Sequence, residues 1–159
     1  MNTKAGELFS LTDTYKPIPG CTISGDLIAS DAATATVFSL AADTDISAET
    51  YSQPKLILVL SGNLTVQEPR QKQEIPLKSG EALILEPGTL AGFASDADVV
   101  YLELTLHGGS FNSSLPLNEP FVLKDRVPVQ PGRIVNMDLT ANPGLKFVLM
   151  SFDEGTGLS

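Results

Sequence analysis

Few residues of this chain have the type and spacing that catalysis requires. The only histidine, His107, precedes two glycines and is not accompanied by a nucleophile motif, so a Ser-His-Asp triad has no support. The only cysteine, Cys21, follows Pro19-Gly20 in a turn, and no partner at a fixed spacing indicates activation. We therefore expect no catalytic residue, and we interpret His107 as a solvated or backbone-bonded residue.

The elements that would position any site are short β-strands. Apolar or alternating segments are separated by Gly, Pro, Asn and Asp, which is typical of an all-β sandwich or barrel. Residues 56–60 are apolar throughout, as expected for a strand covered on both faces, and Ser61-Gly62-Asn63 predicts a tight hairpin after them. The predicted strands are Thr22–Ile28, Ala35–Ala41, Leu56–Ser61, Leu64–Glu68, Ala82–Leu85, Ala91–Ala94 and Val99–Leu106.

A long internal repeat organises the chain. Residues 7–47 recur without a gap as residues 119–159, which lie 112 positions later, with 12 identities in 41 positions. This period suits a whole domain and is too long for a solenoid unit. The polar, proline-containing residues 112–118 predict a linker. We therefore expect one domain over residues 1–111 and the opening strands of a related unit over residues 119–159.

The composition excludes several classes of partner. A net charge of −9 argues against nucleic acid, because phosphate contacts need clustered Lys and Arg. No basic amphipathic stretch is present, and residues 56–60 are too few to span a bilayer, so we expect no membrane contact. Residues 1–4 lack the apolar stretch of a secretory signal, and a lone cysteine fits a reducing compartment. We predict a cytoplasmic protein.

Two glycine-containing motifs in residues 49–95 resemble those of the cupin superfamily, whose members are small β-barrels of jelly-roll type (double-stranded β-helices). The hairpin glycine of the first motif matches Gly62, and the two glycines of the second motif match Gly80 and Gly88. The resemblance implies an all-β, cupin-like jelly-roll barrel followed by a partial second repeat. The second unit's own motif would begin past Ser159. We therefore expect either a fragment of a two-cupin protein or a product that has lost its second barrel.

The positions that bind metal in cupins carry other residues in this chain. By the same alignment, Glu49 and Tyr51 stand at the two histidine positions of the first motif, and Lys55 stands at its glutamate. Ala91, which has no donor atom, stands at the histidine of the second motif. Two oxygens opposed by a lysine make a poor site for Fe, Mn, Zn, Ni or Cu. We predict no metal and no other cofactor in this barrel.

The resemblance also suggests where a ligand would bind. It places Glu49 and Lys55 at the barrel mouth, where they would pair with each other or present charge to a small polar ligand; the alternative is a shifted register with both on a solvated loop. Tyr101 and Glu103 share one strand face, which the family's register turns inward to line a cavity. The predicted ligand-binding residues are Glu49, Tyr51, Lys55, Phe93, Tyr101 and Glu103.

Three functions remain open from the sequence. The leading interpretation is a small-molecule-binding or regulatory cupin without a metal site of its own. The second is an enzyme, either a metal-independent cupin similar to sugar isomerases or a two-barrel oxygenase whose active barrel lies beyond this chain. The third is a structural role in which the first barrel serves for dimerisation.

Residues 119–159 contain strand-like apolar segments that would be costly to leave in water. Two arrangements would cover them: the segment folds back on the first barrel, or it pairs with the same segment of another chain. We favour pairing and therefore predict a homodimer, on the expectation that the first barrel has already used its sheet faces on itself.

Overall fold

The computed structural model describes residues 6–158, which form antiparallel β-strands with very little helix. The strands are β1 (Thr22–Ala29), β2 (Ala33–Leu40), β3 (Thr44–Thr50), β4 (Lys55–Ser61), β5 (Asn63–Glu68), β6 (Gln73–Lys78), β7 (Glu81–Leu85), β8 (Leu90–Ser95), β9 (Val99–Leu106), β10 (Ser110–Phe111), β11 (Phe121–Val122), β12 (Ile134–Asp138), β13 (Thr140–Ala141) and β14 (Val148–Phe152). A short helix, α1 (Leu11–Thr14), precedes β1, and a 3-10 helix (Leu123–Arg126) follows β11. No helix among residues 6–158 is long and apolar enough to cross a membrane.

Two sheets face each other and enclose the main core. Their strand orders are β1-β2-β9-β4-β7-β11 and β3-β8-β5-β6, so the chain passes repeatedly from one sheet to the other. Large side chains from both inner faces pack between them, including Leu83, Phe93 and Tyr101, none of which is exposed. The all-β, jelly-roll prediction is confirmed.

The sequence did not indicate two strands of the four-stranded sheet, and both are edges of that sheet. β3 is mostly polar and exposed, so it shows little of the alternation that marks a half-buried strand. β6 contains Pro76, a residue that argues against a central strand but is tolerated at an edge, where its missing N–H is not needed. Pairing with β8 and β5, respectively, holds these two segments in the sheet.

The register between β4 and β9 decides which side chains enter the barrel. Lys55 is opposite Thr105, Ile57 is opposite Glu103, and Val59 is opposite Tyr101. Residues that are directly opposite in an antiparallel pair lie on the same face of the sheet, so all of these side chains share one face. Since Ile57, Val59 and Tyr101 belong to the main core, this is the inner face of the barrel.

The outer face of the six-stranded sheet is also apolar, and the C-terminal segment covers it. Leu56 and Leu104 lie in a second buried cluster together with Leu139, while Phe147 and Leu149 pack against this cluster. β11 pairs with β7, and β13 pairs with β10, so backbone hydrogen bonds also hold the segment in place. The expectation that the first barrel has no free sheet face is therefore wrong, and the segment folds back.

The two segments related by the sequence repeat have the same local structure at the same offset of 112 residues. β12 pairs with β14 from Ile134↔Phe152 to Asp138↔Val148, as β1 pairs with β2 from Thr22↔Leu40 to Asp26↔Thr36. The helical turns at 11–14 and 123–126 also correspond. The hydroxyls of Thr44 and Thr156 each donate a 2.7 Å hydrogen bond to the carbonyl three residues earlier. The domain boundaries at 111 and 119 stay a prediction.

Candidate functional site

A buried ion pair lies on the inner face of the barrel. Lys55 Nζ donates a hydrogen bond of 2.5 Å to Glu103 Oε2, and both side chains are nearly inaccessible to solvent. The pair forms because Lys55 and Glu103 are diagonal neighbours on the paired strands β4 and β9. Glu49, whose pairing with Lys55 was one of the arrangements that the resemblance implied, lies exposed on β3 in the opposite sheet.

Tyr51 links the ion pair to Glu49. The Lys55 ammonium lies 3.7 Å from the centroid of the Tyr51 ring, which is a cation–π contact. Tyr51 also forms a side-chain hydrogen bond with Glu49. Burial raises the pKa of the Tyr51 phenol well above its usual value, and the negative charges of Glu103 and Glu49 raise it further. The phenol is therefore protonated at neutral pH and acts as a hydrogen-bond donor to a carboxylate.

Tyr101 lies deeper in the barrel and has an unpartnered hydroxyl group. Its ring stacks on Phe38 at a centroid distance of 5.3 Å and meets Phe93 at 5.4 Å. The residue is fully buried, and its Oη has no hydrogen-bond partner. Burial raises the pKa of this phenol far above its usual range, and the charge of Glu103 adds to the effect. A buried hydroxyl without a partner is costly, which makes this atom the least satisfied one near the ion pair.

Glu103 is held in an environment with two opposing effects on its carboxyl group. Burial raises the pKa of Glu103 above its ordinary value of 4.5, because the charged form loses its hydration. The Lys55 ammonium acts in the opposite direction, through its charge and its hydrogen bond, and Glu49 adds a smaller upward contribution. The net direction is upward, so the folded chain favours the protonated form of this group more than the unfolded chain does.

The structure brings together most of the predicted ligand-binding residues, and none of the clefts described among residues 6–158 lies between them. The rings of Tyr51 and Phe93 are 6.4 Å apart, and with Tyr101 they fill the space that we expected them to line. The clefts described among residues 6–158 have volumes of about 460 to 750 Å³ and are lined by other residues. A ligand that reaches Lys55 must therefore contact it from the mouth, beside the half-buried Tyr51.

A group of polar residues that was not predicted from the sequence lies at the same end of the inner face. Thr36 is opposite Glu103, and Thr34 is opposite Thr105, so these hydroxyls share the face of the ion pair. The Thr36 hydroxyl donates to Asp26 Oδ1 at 2.6 Å, and the Thr34 hydroxyl lies 2.7 Å from His107 Nε2. The alternation of Ala and Thr in residues 33–36 is the signal that would have placed them on one face.

Comparison with solved structures gives the fold. The chain is similar to a Cupin 2 conserved barrel domain protein from Leptotrichia buccalis, with a TM-score of 0.85 and 19% identity, over 99% of this chain and 70% of that chain. The chain has the cupin fold. A cupin superfamily protein from Desulfitobacterium hafniense matches with a TM-score of 0.62 and 22% identity, over 68% of this chain and 97% of that chain. No family model matches the sequence, and no curated protein matches it.

One solved structure with a similar identity carries the name of an enzyme. The polyketide cyclase RemF from Streptomyces resistomycificus matches with a TM-score of 0.51 and 19% identity, over 67% of this chain and 80% of that chain. At these identities the likeness concerns the fold, because one fold supports many unrelated functions. The function therefore depends on the residues of the site.

The donor set of this chain does not fit the metal that many members of the fold bind. Glu49 is opposite Ala91 across β3 and β8, which places two of the aligned ligand positions side by side. Their neighbours are Tyr51 and the ammonium of Lys55, which is itself a cation. Among residues 6–158 there is no group of three or more His, Cys, Asp or Glu residues placed to hold a metal ion.

Proposed function

We propose that this cupin binds a small polar molecule at the mouth of its barrel and needs no metal for it. The observation that carries the proposal is the Tyr101 hydroxyl, which is buried beside the Lys55–Glu103 pair without a partner. A polar atom of a ligand, or a water held between the ligand and Tyr101, would satisfy this hydroxyl. The proposal assigns binding to residues 1–111 and none to residues 119–159.

The charges around the site favour an uncharged ligand with hydroxyl or amide groups. Lys55 and Glu103 neutralise each other, so a charged ligand would have to compete with a bond of 2.5 Å that already exists. An anion would also be repelled by Glu49, which stays at the exposed side of the site. Lys55 retains N–H donors beyond the one that it gives to Glu103, and the second carboxylate oxygen can accept. The site therefore offers both donors and acceptors, as a polyhydroxylated molecule requires.

The state of the titratable groups supports binding over catalysis. Both phenols at the site have pKa values raised by burial, so neither is a base at neutral pH. Lys55 is engaged with a carboxylate and with the Tyr51 ring, which leaves it poorly suited to act as a nucleophile. These features favour the binding interpretation over the isomerase-like alternative.

One observation nevertheless keeps an acid–base enzyme as a second candidate. Glu103 has a raised pKa in a largely buried site, which is the property of many carboxylates that transfer protons. This candidate would be favoured if the purified chain converts a sugar and if Glu103→Gln abolishes the conversion but still binds the sugar. Binding of the same sugar without conversion would favour the first.

The test of binding compares thermal denaturation of the wild type with and without a panel of neutral pentoses, hexoses and polyols at millimolar concentration. We expect at least one to raise Tm in the wild type. Tyr101→Phe should abolish the rise without lowering the Tm of the free protein, because it removes only an unpartnered hydroxyl. Tyr15→Phe is the matched control, since Tyr15 is buried outside the barrel interior and should leave the rise intact.

Two results would contradict the proposal. The first is the absence of any stabilising compound in the panel together with native mass spectra that show no retained small molecule. The second is a rise in Tm that is equal in wild type and Tyr101→Phe. Elemental analysis tests the claim that binding needs no metal. Near-stoichiometric Fe, Mn, Ni, Zn or Cu that is lost when Glu49 is substituted would overturn this claim.

A further inference from the structure

We infer that the ligand site continues from the ion pair across strands β2 and β1, where a second subsite accepts another sugar ring. Strands β4, β9, β2 and β1 are neighbours in this order in the six-stranded sheet. Lys55 comes from β4 and Glu103 from β9. Thr36 of β2 lies opposite Glu103, and Asp26 of β1 lies opposite Thr36. Because opposite residues of antiparallel strands share a face, these four side chains form one continuous polar track.

The polar track changes from buried to open along its length. Lys55 and Glu103 are buried, whereas Thr36 is half-buried and Asp26 is exposed. The Thr36 hydroxyl donates a hydrogen bond of 2.6 Å to Asp26 Oδ1. A carboxylate has two acceptor oxygens and a hydroxyl has two lone pairs, so both groups can still accept hydrogen bonds. The part of the track on β1 and β2 can therefore bind hydroxyl groups of a ligand from the solvent side.

An aromatic ring lies beside the polar track. Phe38 follows Thr36 by two residues on β2 and therefore projects from the same face. Its ring stacks on Tyr101 at a centroid distance of 5.3 Å, yet the residue is only half-buried. A sugar ring has an apolar face of C–H groups and a rim of hydroxyl groups. A half-buried aromatic ring next to polar acceptors matches both of these features.

The length and the charge of the polar track indicate a neutral ligand of two linked sugar rings. From β4 to β1 the track crosses three inter-strand spacings, or about 14 Å, which is longer than a single sugar ring. Asp26 adds a carboxylate to those of Glu49 and Glu103, so the negative potential disfavours a phosphorylated sugar. The first ring lies beside the ion pair, and the second lies against Asp26, Thr36 and Phe38.

Because this subsite rests on the proposed binding of a sugar beside Lys55, the test compares disaccharides with their component monosaccharides. Isothermal titration calorimetry of the full chain with maltose, cellobiose, lactose, glucose and galactose gives the affinities. We expect at least one disaccharide to bind about tenfold more tightly than its component monosaccharides, which corresponds to about 1.4 kcal/mol.

Substitutions on β1 and β2 place the second ring. Asp26→Ala and Thr36→Val should each lower the disaccharide affinity about tenfold, and the monosaccharide affinity should fall by less than about twofold. Asp45→Ala and Thr22→Val are the matched controls and should change neither affinity. Asp45 is an exposed carboxylate on the outer face of β3, since its neighbour Ile46 packs against the main core. Thr22 is exposed on β1, at the end of the strand away from the ion pair.

Amide chemical shifts locate the second ring independently of any substitution. Titration with the tightest-binding disaccharide should shift the amide signals of Asp26, Thr36 and Phe38, and the component monosaccharides should leave these signals nearly unchanged. Equal affinities for disaccharides and monosaccharides, or a disaccharide advantage that survives both substitutions, would overturn the second subsite but not the first. If neither a disaccharide nor a monosaccharide binds, the proposed function fails together with the second subsite.

Discussion

Lys55 and Glu103 are 48 residues apart in the chain, yet their charged atoms lie 2.5 Å apart inside the barrel. Each is supplied by a strand whose other inward residues are mostly apolar, and both side chains are less than 10% exposed, so each charge depends mainly on the other for a partner. Removing one partner of such a pair is far more costly than removing both. The pair therefore makes this end of the barrel sensitive to single substitutions.

The first prediction concerns this pair. Lys55→Met and Glu103→Leu should each lower the free energy of unfolding by about 3–5 kcal/mol, because each leaves an uncompensated buried charge. The double variant should lose less than either single variant, since no buried charge remains. Urea denaturation of all four proteins gives the coupling energy. Additive losses would show that the two side chains do not interact in solution.

The second prediction concerns pH. Because the pKa of Glu103 is raised in the folded chain, the folded state binds this proton more tightly than the unfolded state does. The contribution of Glu103 to stability should be fully present below its ordinary value of 4.5 and should be lost as the pH rises through the folded pKa. We expect the free energy of unfolding of wild type relative to Glu103→Gln to fall above that pH, by at most about 1.4 kcal/mol per pH unit. A relative stability that increases with pH would contradict the upward shift.

The third prediction concerns packing between α1 and β1. A Cβ atom added at Gly25 would lie 2.5 Å from the ring of the buried Tyr15, so Gly25→Ala should cost about 1–3 kcal/mol. In the second repeat, Val127 stands at the position of Tyr15 and Met137 stands at the position of Gly25. The first position is therefore smaller there, and the second is larger. Tyr15→Val should therefore recover part of the loss caused by Gly25→Ala. A double-mutant cycle without coupling would contradict this explanation.

The fourth prediction tests whether residues 119–158 are an integral part of the fold. Leu139 is 1% exposed in the cluster between the C-terminal segment and the outer face of the barrel, so Leu139→Ala should cost about 2–5 kcal/mol. Leu158→Ala serves as the control, since Leu158 is 70% exposed and its loss should change stability by less than about 0.5 kcal/mol. Urea denaturation gives both values. Hydrogen exchange should also show protection across residues 134–152 in the wild type, and an unprotected segment would contradict the docked arrangement.

Much of the fold was determined by local sequence alone. Val99–Leu106 has the strand bounds that its alternation predicts, and Gly62 takes the positive φ of 83° that the hairpin after β4 requires. An added Cβ at Gly62 would lie 2.3 Å from the Asp98 carbonyl oxygen, so any other residue at this position would require a shift of the backbone. These features depend on residues that are close in sequence, and they can therefore be predicted from a single sequence.

The tertiary structure alone decided which residues meet. The partner of Lys55 is Glu103 and not Glu49, because the choice depends on the register of β4 against β9 and not on spacing along the chain. The barrel interior is filled by the rings of Tyr51, Phe93 and Tyr101. Their packing depends on the volume that the two sheets enclose, and no local sequence pattern gives that volume. The C-terminal segment covers the outer face of the barrel because Leu56 and Leu104 make that face apolar as well. A strand that is apolar on both faces must be covered on both sides. Its own sequence does not tell which segment of the chain covers the second side.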